Sequence, residues 1–129
     1  MIKLSHIIFY VRNQEKSRSY YQAVLNIHPK LNVPGMTEFE LSTDLILGLM
    51  PEKGIERLLG NVRFNTSATK VQPRAELYLI VDNAKAYHSR ALQNGGIELS
   101  GLLNRDWGHR VAYSMDFDGN ILALAEIPD

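Results

Sequence analysis

The sequence predicts an α+β fold made of two β-α-β-β-β modules, and three observations lead to this prediction. The pattern of the chain repeats at an offset of 70 residues, so that 5–13 aligns with 75–83. In both halves an apolar run is followed by a helical segment, and both halves close with two strands joined by a turn. This order predicts one curved mixed sheet with helices on its convex side and a concave cup on the other.

The two aligned runs predict the first strand of each module. Both are apolar and rich in β-branched and aromatic residues, which is typical of buried strands. Because side chains alternate across a strand, each run has a face for the helix and a face for the cup. The helix faces would carry Ile7, Phe9, Val11, Leu77, Leu79 and Val81, and the cup faces His6, Ile8, Tyr10, Glu76, Tyr78 and Ile80.

A helix follows each of these strands. Asn13 and Asn83 stand at the ends of the strands, where an Asn side chain can accept a hydrogen bond from the first turn of a helix. Apolar residues then recur at helical spacing, which predicts helices over 14–25 and 84–94. The pair Gly95-Gly96 is a helix stop signal.

The last strands of each half are separated by short polar turns. In the first half we predict strands at 37–41 and 45–50, with a turn over 42–44. In the second half the predicted strands are 97–103, 110–117 and 121–127, with a two-residue hairpin turn at Asp118-Gly119 between the last two.

These elements divide the chain into one domain, 1–129, with two modules. Module one spans about 1–52 and module two about 74–129. The connection between them, about 53–73, contains a short helix at 55–59 and a polar loop over 61–72.

Composition excludes several classes of function. The chain of 129 residues has a formal net charge of zero, so it has no basic field to hold nucleic acid or an anionic membrane surface. It contains no cysteine, which excludes disulfides and thiolate metal sites. No secretory signal or apolar run of about 20 residues is present in the sequence, so we expect a cytoplasmic protein without a membrane segment.

Two stretches carry a resemblance to a known family. The strand-helix segment LSHIIFYVRNQEKSRSYYQAVLN and the closing segment WGHRVAYSMDFDGNILALAE resemble the glyoxalase/bleomycin-resistance/dioxygenase proteins of the vicinal-oxygen-chelate superfamily. Asn26 stands where the family usually has a Gly at the helix end, a mild departure because Asn tolerates the left-handed conformation. The resemblance implies a homodimer and a small-molecule substrate or ligand.

The resemblance also implies a metal site in the cup, with ligands on the first and last strands of each module. The matching residues are His6, Glu76 and Glu126, while Met50 occupies the fourth position and is a poor ligand. One imidazole and two carboxylates suit a divalent ion such as Mn²⁺, Fe²⁺, Ni²⁺, Co²⁺ or Zn²⁺ with open positions for two substrate oxygens. Glu126 or Glu76 would then act as the catalytic base.

Three functions remain open from the sequence. The first is a metal-dependent lyase, isomerase or transferase that acts on a small substrate chelated through vicinal oxygens. The second is a metal-free small-molecule-binding protein of the antibiotic-resistance type, and the third is an enzyme similar to the extradiol dioxygenases. In each, the residues expected to contact the ligand are Tyr10, Tyr78, Trp107, Arg110 and Tyr113.

Tyr113 is placed by the register of the last hairpin. With a two-residue turn at Asp118-Gly119, Tyr113 would oppose Leu124 and share a sheet face with Glu126. Tyr113 would then lie in the cup near the metal. For His28, His88 and His109 we expect surface or structural roles, with His88 on an exposed helix face.

Overall fold

The computed structural model describes residues 1–64 and 73–129. Eight strands and three helices follow one another along these residues, in the predicted order of modules. The first half contains β1 Ser5–Val11, α1 Gln14–Leu25, β2 Leu31–Val33, β3 Met36–Ser42, β4 Leu45–Pro51 and α2 Glu52–Leu59. The second half contains β5 Glu76–Ile80, α3 Ala84–Gln93, β6 Ile97–Asn104, β7 Arg110–Met115 and β8 Ile121–Glu126.

The chain divides into two compact units that follow the predicted modules. Unit 1 contains β1–β4, α2 and most of α1, and unit 2 contains β5–β8, α3 and the last residues of α1, Ala23–Leu25. The α+β class and the two β-α-β-β-β modules are confirmed, and the hydrogen-bonded strands of the described residues form one four-stranded sheet in each module.

Both sheets have the same mixed topology. Their strand orders are β1-β4-β3-β2 and β5-β8-β7-β6. In each sheet the first strand runs parallel to the last, and the other neighbours are antiparallel. The helix between the first and second strands makes this parallel pairing possible, since parallel strands need a long crossover.

The helix boundaries confirm the predicted cap residues. The Asn13 side chain accepts a hydrogen bond from the Lys16 backbone N–H at 2.9 Å. In the same way, the Asn83 side chain accepts from Ala86 N–H at 3.1 Å. Asn26 ends α1 in the left-handed conformation, with φ 56°. Each Asn thus satisfies helix-end groups that would otherwise lack a partner.

A core of apolar side chains lies between each sheet and its helix. In unit 1 the Phe9 ring contacts Tyr21 of α1, with ring centroids 6.1 Å apart, so Phe9 is on the predicted helix face. In unit 2, α3 contacts β6, β7 and β8, and its Ala84, His88 and Ala91 are buried. Leu77, Leu122 and Leu124 are buried in the same sheet.

The register of the last hairpin differs from the prediction. Met115 opposes Ile121, Tyr113 opposes Ala123 and Arg110 opposes Glu126. Five residues, Asp116–Asn120, therefore connect the strands where two were predicted. The carboxylate of Asp116 causes the longer loop, because it accepts hydrogen bonds from the backbone N–H groups of Asp118 and Asn120.

Other boundaries are close to the predictions. The short edge strand β2 carried no sequence signal, because three residues are too few to show alternation. Helix α2 begins three residues before the predicted Ile55. Of the predicted polar loop over 61–72, the segment 65–72 lies outside the described residues. None of the helices in the described part of the chain has the length and apolar character to cross a membrane.

Candidate functional site

The sheet of unit 2 has two tyrosines on the face that points away from α3. Alternation and register place nine residues on this surface, the tyrosine face. At its centre Tyr78, Ala123 and Tyr113 lie side by side on β5, β8 and β7. Both tyrosines pack against a buried floor of small residues. The nine residues are Glu76, Tyr78, Ile80, Val111, Tyr113, Met115, Ile121, Ala123 and Ala125.

A hydrogen-bonded group joins this face to the loop between β6 and β7. The indole Nε1 of Trp107 donates to the Tyr78 hydroxyl oxygen at 2.9 Å. The same hydroxyl lies 2.7 Å from Nδ1 of His109, and the centroids of the Tyr78 and His109 rings are 5.9 Å apart. Tyr78 thus fixes the positions of two loop side chains. Trp107 nevertheless remains 56% exposed, which leaves much of its indole free to contact a ligand.

Arg105 enters the same face from the end of β6. Its Nη2 donates to Ser100 Oγ at 2.7 Å, to the Val111 carbonyl at 2.8 Å and to the Gly101 carbonyl at 3.3 Å. The guanidinium carbon lies 5.1 Å from the centre of the Tyr113 ring. These bonds hold the charge over the aromatic ring, a favourable cation–π arrangement.

The hydroxyl of Tyr113 has a pKa above the ordinary value for tyrosine. Burial raises the pKa of the Tyr113 hydroxyl, and the nearby negative charge of Glu76 raises this pKa further. Both effects disfavour the phenolate. The hydroxyl therefore keeps its hydrogen through neutral pH and can donate to a ligand.

Glu126 lies on the opposite face of the sheet from Glu76. Glu76 opposes Ile121, and Glu126 is five positions further along β8, so alternation reverses the direction of its side chain. Its Oε2 accepts a hydrogen bond from the Ala84 backbone N–H at the start of α3, at 3.0 Å. Its Oε1 forms an ion pair with Arg110 at 3.1 Å. The prediction that Glu126 shares a face with Tyr113 is wrong, because the hairpin loop has three more residues than predicted.

The position of Glu126 on the helix face also affects two other predictions, the metal site and the ligand contact of Arg110. The set His6, Glu76 and Glu126 does not fit one ion, because Glu126 faces α3 and both of its oxygens have partners. In residues 1–64 and 73–129 no group of three or more potential ligands is arranged to hold a metal. Arg110 is directed to Glu126 and so lies on the helix face.

In unit 1 the equivalent face carries His6, Ile8 and Tyr10, as predicted. His6 Nδ1 lies 3.5 Å from Oε2 of Glu38 on β3, a neighbour that the sequence did not predict. The Tyr10 ring contacts Phe64 edge-on, with centroids 5.6 Å apart. A Cβ added to Gly48 would lie 3.1 Å from Ile8, so this face is closely packed around the glycine.

Strand register also corrects the alignment of the two modules at their last strands. His6 pairs with Ile46 and Glu76 with Ile121, so Ile46 and Ile121 are the equivalent positions. The counterpart of Glu126 is then Pro51, and Met50 is not its counterpart. Gly48 and Ala123 lie two residues after Ile46 and Ile121, so they are on the same sheet faces as His6 and Glu76. Neither of these has a side chain that can bind an ion or take up a proton.

Sequence reasoning missed Arg105 and favoured a surface or structural role for His109. Arg105 follows the end of β6, and no pattern in the sequence pairs it with Tyr113. The signal for His109 was its position beside Trp107 in a short loop between strands. The predicted exposure of His88 is wrong, because His88 is buried and lies 2.8 Å from Glu98 of β6. The predicted ligand contacts of Tyr10, Tyr78, Trp107 and Tyr113 stay predictions.

Comparison with known proteins agrees with this architecture. The family model described as a glyoxalase-like domain matches residues 4–127. A glyoxalase/bleomycin resistance protein/dioxygenase family enzyme from Burkholderia phytofirmans is similar in structure, with TM-score 0.80, 14% identity and coverage of 98% of this chain and 99% of that one.

Two further structures have the same fold. A glyoxalase-related enzyme from Fulvimarina pelagi gives TM-score 0.77 at 17% identity, with 99% of this chain and 90% of that one covered. TioX from Micromonospora gives TM-score 0.69 at 11% identity, with 97% and 98% covered. A search of the curated proteins finds no significant match. At these identities the likeness shows the fold alone.

Proposed function

Since the chain belongs to the glyoxalase-like domain family of the vicinal-oxygen-chelate superfamily, we propose that it is a small-molecule-binding protein. The tyrosine face of unit 2 holds a planar, partly apolar ligand against Tyr78, Trp107 and Tyr113. Binding does not need a metal ion held by Glu126. Membership of the family does not decide between an enzyme and a binding protein, because one fold can have either function.

The hydrogen-bonded group Trp107–Tyr78–His109 supports this proposal. The side chains of an exposed loop lose conformational entropy when they are held in one arrangement. Here two hydrogen bonds to a single hydroxyl hold them before any ligand arrives. A binding surface that is ordered in advance gains affinity, because the ligand does not have to order it. Tryptophan and tyrosine are also the residues that contribute most to binding energy at protein surfaces.

The donor set argues against the metal-dependent alternatives. Members of the superfamily often bind divalent metals. An enzyme that uses the predicted ligand set His6, Glu76 and Glu126 requires Glu126 beside Glu76. The alternation along β8 separates these two carboxylates. The carboxylate of Glu126 instead supports the start of α3.

The single tryptophan allows a direct test of binding. Trp107 is the only tryptophan, so a ¹⁵N-labelled sample has one indole N–H resonance in its NMR spectrum. Titration with 4-phenylbutanamide, a small aromatic probe, is expected to shift this resonance to saturation. The matched probe 4-cyclohexylbutanamide is expected to bind more weakly, because it has no aromatic ring to stack on the indole.

Two variants separate the tyrosine face from the rest of unit 2. Tyr78→Phe keeps the ring but removes the hydroxyl that positions the loop, so the affinity for the aromatic probe is expected to fall about 3- to 10-fold. Tyr87→Phe, on α3, is the control and should bind as the unchanged protein does. Absence of a saturable indole shift, or equal effects of the two substitutions, would refute the proposal.

A further inference from the structure

The hydrogen bonds of Arg105 leave part of its guanidinium without a partner. All three of its hydrogen bonds to the described residues come from Nη2. Its Nε is buried and has no hydrogen-bond partner among the described residues. Within the same residues, Nη1 makes no hydrogen bond either. Arg105 is therefore anchored by Nη2, and its Nη1 keeps hydrogens to donate beside Tyr113.

The neighbouring groups are donors as well. The hydroxyl of Tyr113 makes no hydrogen bond to the described residues and keeps its hydrogen at neutral pH. One arrangement uses the hydrogens of both Trp107 and Tyr78: Trp107 donates to the Tyr78 hydroxyl, and that hydroxyl donates to Nδ1 of His109. The remaining imidazole hydrogen is then on Nε2, which adds a third donor.

A surface with a guanidinium and two neutral donors recognises oxygen atoms that only accept hydrogen bonds. We propose that the ligand of the tyrosine face carries a carboxylate, which binds to Arg105 and Tyr113 while its planar part contacts Trp107. This inference rests on the proposed binding function and adds the chemical class of the ligand. An ionised acceptor is favoured because hydrogen bonds to a charged partner are stronger than those between neutral groups.

Glu76 opposes the binding of such an anion. Its charge lies close enough to Tyr113 to raise the pKa of that hydroxyl, so it also repels a carboxylate bound there. Glu76 is exposed, and solvent screens its charge. The anchored guanidinium of Arg105 is half-buried and less screened. The structure therefore predicts opposite effects for the removal of these two charges.

The experiment compares two probes of the same shape, one with an ionised carboxylate and one with a neutral amide in its place. Fluorescence of Trp107, excited at a wavelength that tyrosine does not absorb, follows the binding of 4-phenylbutanoate and of 4-phenylbutanamide. The carboxylate is expected to bind at least about 10-fold more tightly than the amide. Because the phenyl group absorbs at shorter wavelength, neither probe interferes with the signal.

Variants test the residues named. Tyr113→Phe and Arg105→Lys are each expected to weaken phenylbutanoate binding about 5- to 20-fold, and to weaken binding of the amide less, because its neutral carbonyl accepts weaker hydrogen bonds than a carboxylate does. Glu76→Gln should tighten binding of the carboxylate about 2- to 5-fold and affect binding of the amide less, because the amide carries no charge. Far-ultraviolet circular dichroism confirms folding, and Tyr113→Phe preserves the test if the Arg105 variant does not fold.

The outcomes separate this inference from the proposed function. Equal affinities for the two probes, or carboxylate binding that is unaffected by Tyr113→Phe, would overturn the inference and leave the binding function standing. Tighter carboxylate binding after loss of Arg105 would overturn it as well. If neither probe changes the fluorescence, the proposed function fails and the inference fails with it.

Discussion

Glu126 shows how one position in a strand decides the role of a residue. The closing sequence places a carboxylate near the end of β8, and both a metal ligand and a structural anchor are consistent with that position. Side chains alternate from one face of a strand to the other, so a shift by one residue exchanges the two roles. The observed register pairs Glu126 with Arg110 and directs it to the N-terminal end of α3.

This role gives a prediction at the residue scale. Glu126→Ala removes an acceptor for the Ala84 N–H and the partner of Arg110, so the free energy of unfolding is expected to fall by about 1–2 kcal/mol. Glu126→Gln keeps an acceptor oxygen and should lose less. Urea unfolding measures the change.

Binding data separate this structural role from a role as metal ligand. Calorimetric titration with Mn²⁺, Ni²⁺ or Zn²⁺ should give the same result for Glu126→Gln as for the unchanged protein. Loss of stoichiometric metal binding in that variant, with stability unaltered, would support the predicted ligand set instead.

At the scale of elements, short connections set the geometry of unit 2. Gly95 follows α3 with φ +104°, a conformation that suits glycine. A Cβ at this position would lie 2.8 Å from the Phe117 ring, which belongs to the loop between β7 and β8. The exit of the helix and the last hairpin are therefore packed against each other. The loop that determines the register is held on both sides, by the Asp116 carboxylate and by this contact.

Two glycine substitutions distinguish close packing from backbone strain. Gly95→Ala introduces both an unfavourable φ and a close contact with Phe117, and should lower the free energy of unfolding by about 2–4 kcal/mol. Gly119 also has a positive φ, +88°, but no atom lies within 4 Å of its added Cβ.

Gly119→Ala should therefore cost about 1 kcal/mol, the backbone strain alone. Thermal or urea unfolding of the two variants provides the comparison. Equal losses would show that the contact with Phe117 adds nothing.

At the scale of the whole molecule, the chain repeats one topology twice but gives its two sheets different surfaces. The face of unit 1 carries His6 against Glu38 and Tyr10 against Phe64. The tyrosine face of unit 2 has aromatic residues and hydrogen-bond donors. The repeat therefore preserves strand order while the side chains diverge, and among the described residues the preformed group on which the proposed function rests lies in unit 2.

The oligomeric state is the prediction that belongs to this scale. Members of the superfamily are often dimeric, and the same is expected of this chain. Association would cover large apolar side chains that a single copy leaves exposed, among them Ile97 and Leu103 of β6. Static light scattering at about 10 µM should give twice the mass of one chain. A monomeric mass that persists at tenfold higher concentration would contradict this prediction.

The amino-acid sequence was sufficient to predict the fold class, the order of the modules and the ends of α1 and the start of α3. Hydrophobic alternation in β1 and β5, and the Asn residues at 13 and 83, are local signals whose physical effect does not depend on distant residues. The left-handed helix end at Asn26 was predictable for the same reason. The faces of β1 and β5 followed from alternation within a single strand.

Only the tertiary structure decided the site. The length of the β7–β8 loop depends on hydrogen bonds that the Asp116 carboxylate accepts, and that length sets whether Glu126 faces α3 or lies on the tyrosine face. Tyr113 has Arg105 and Glu76 as neighbours. These two residues come from different parts of the chain, and they approach Tyr113 only when the sheet of unit 2 forms. Local patterns report which elements form, whereas register and long-range contacts determine which side chains share a face.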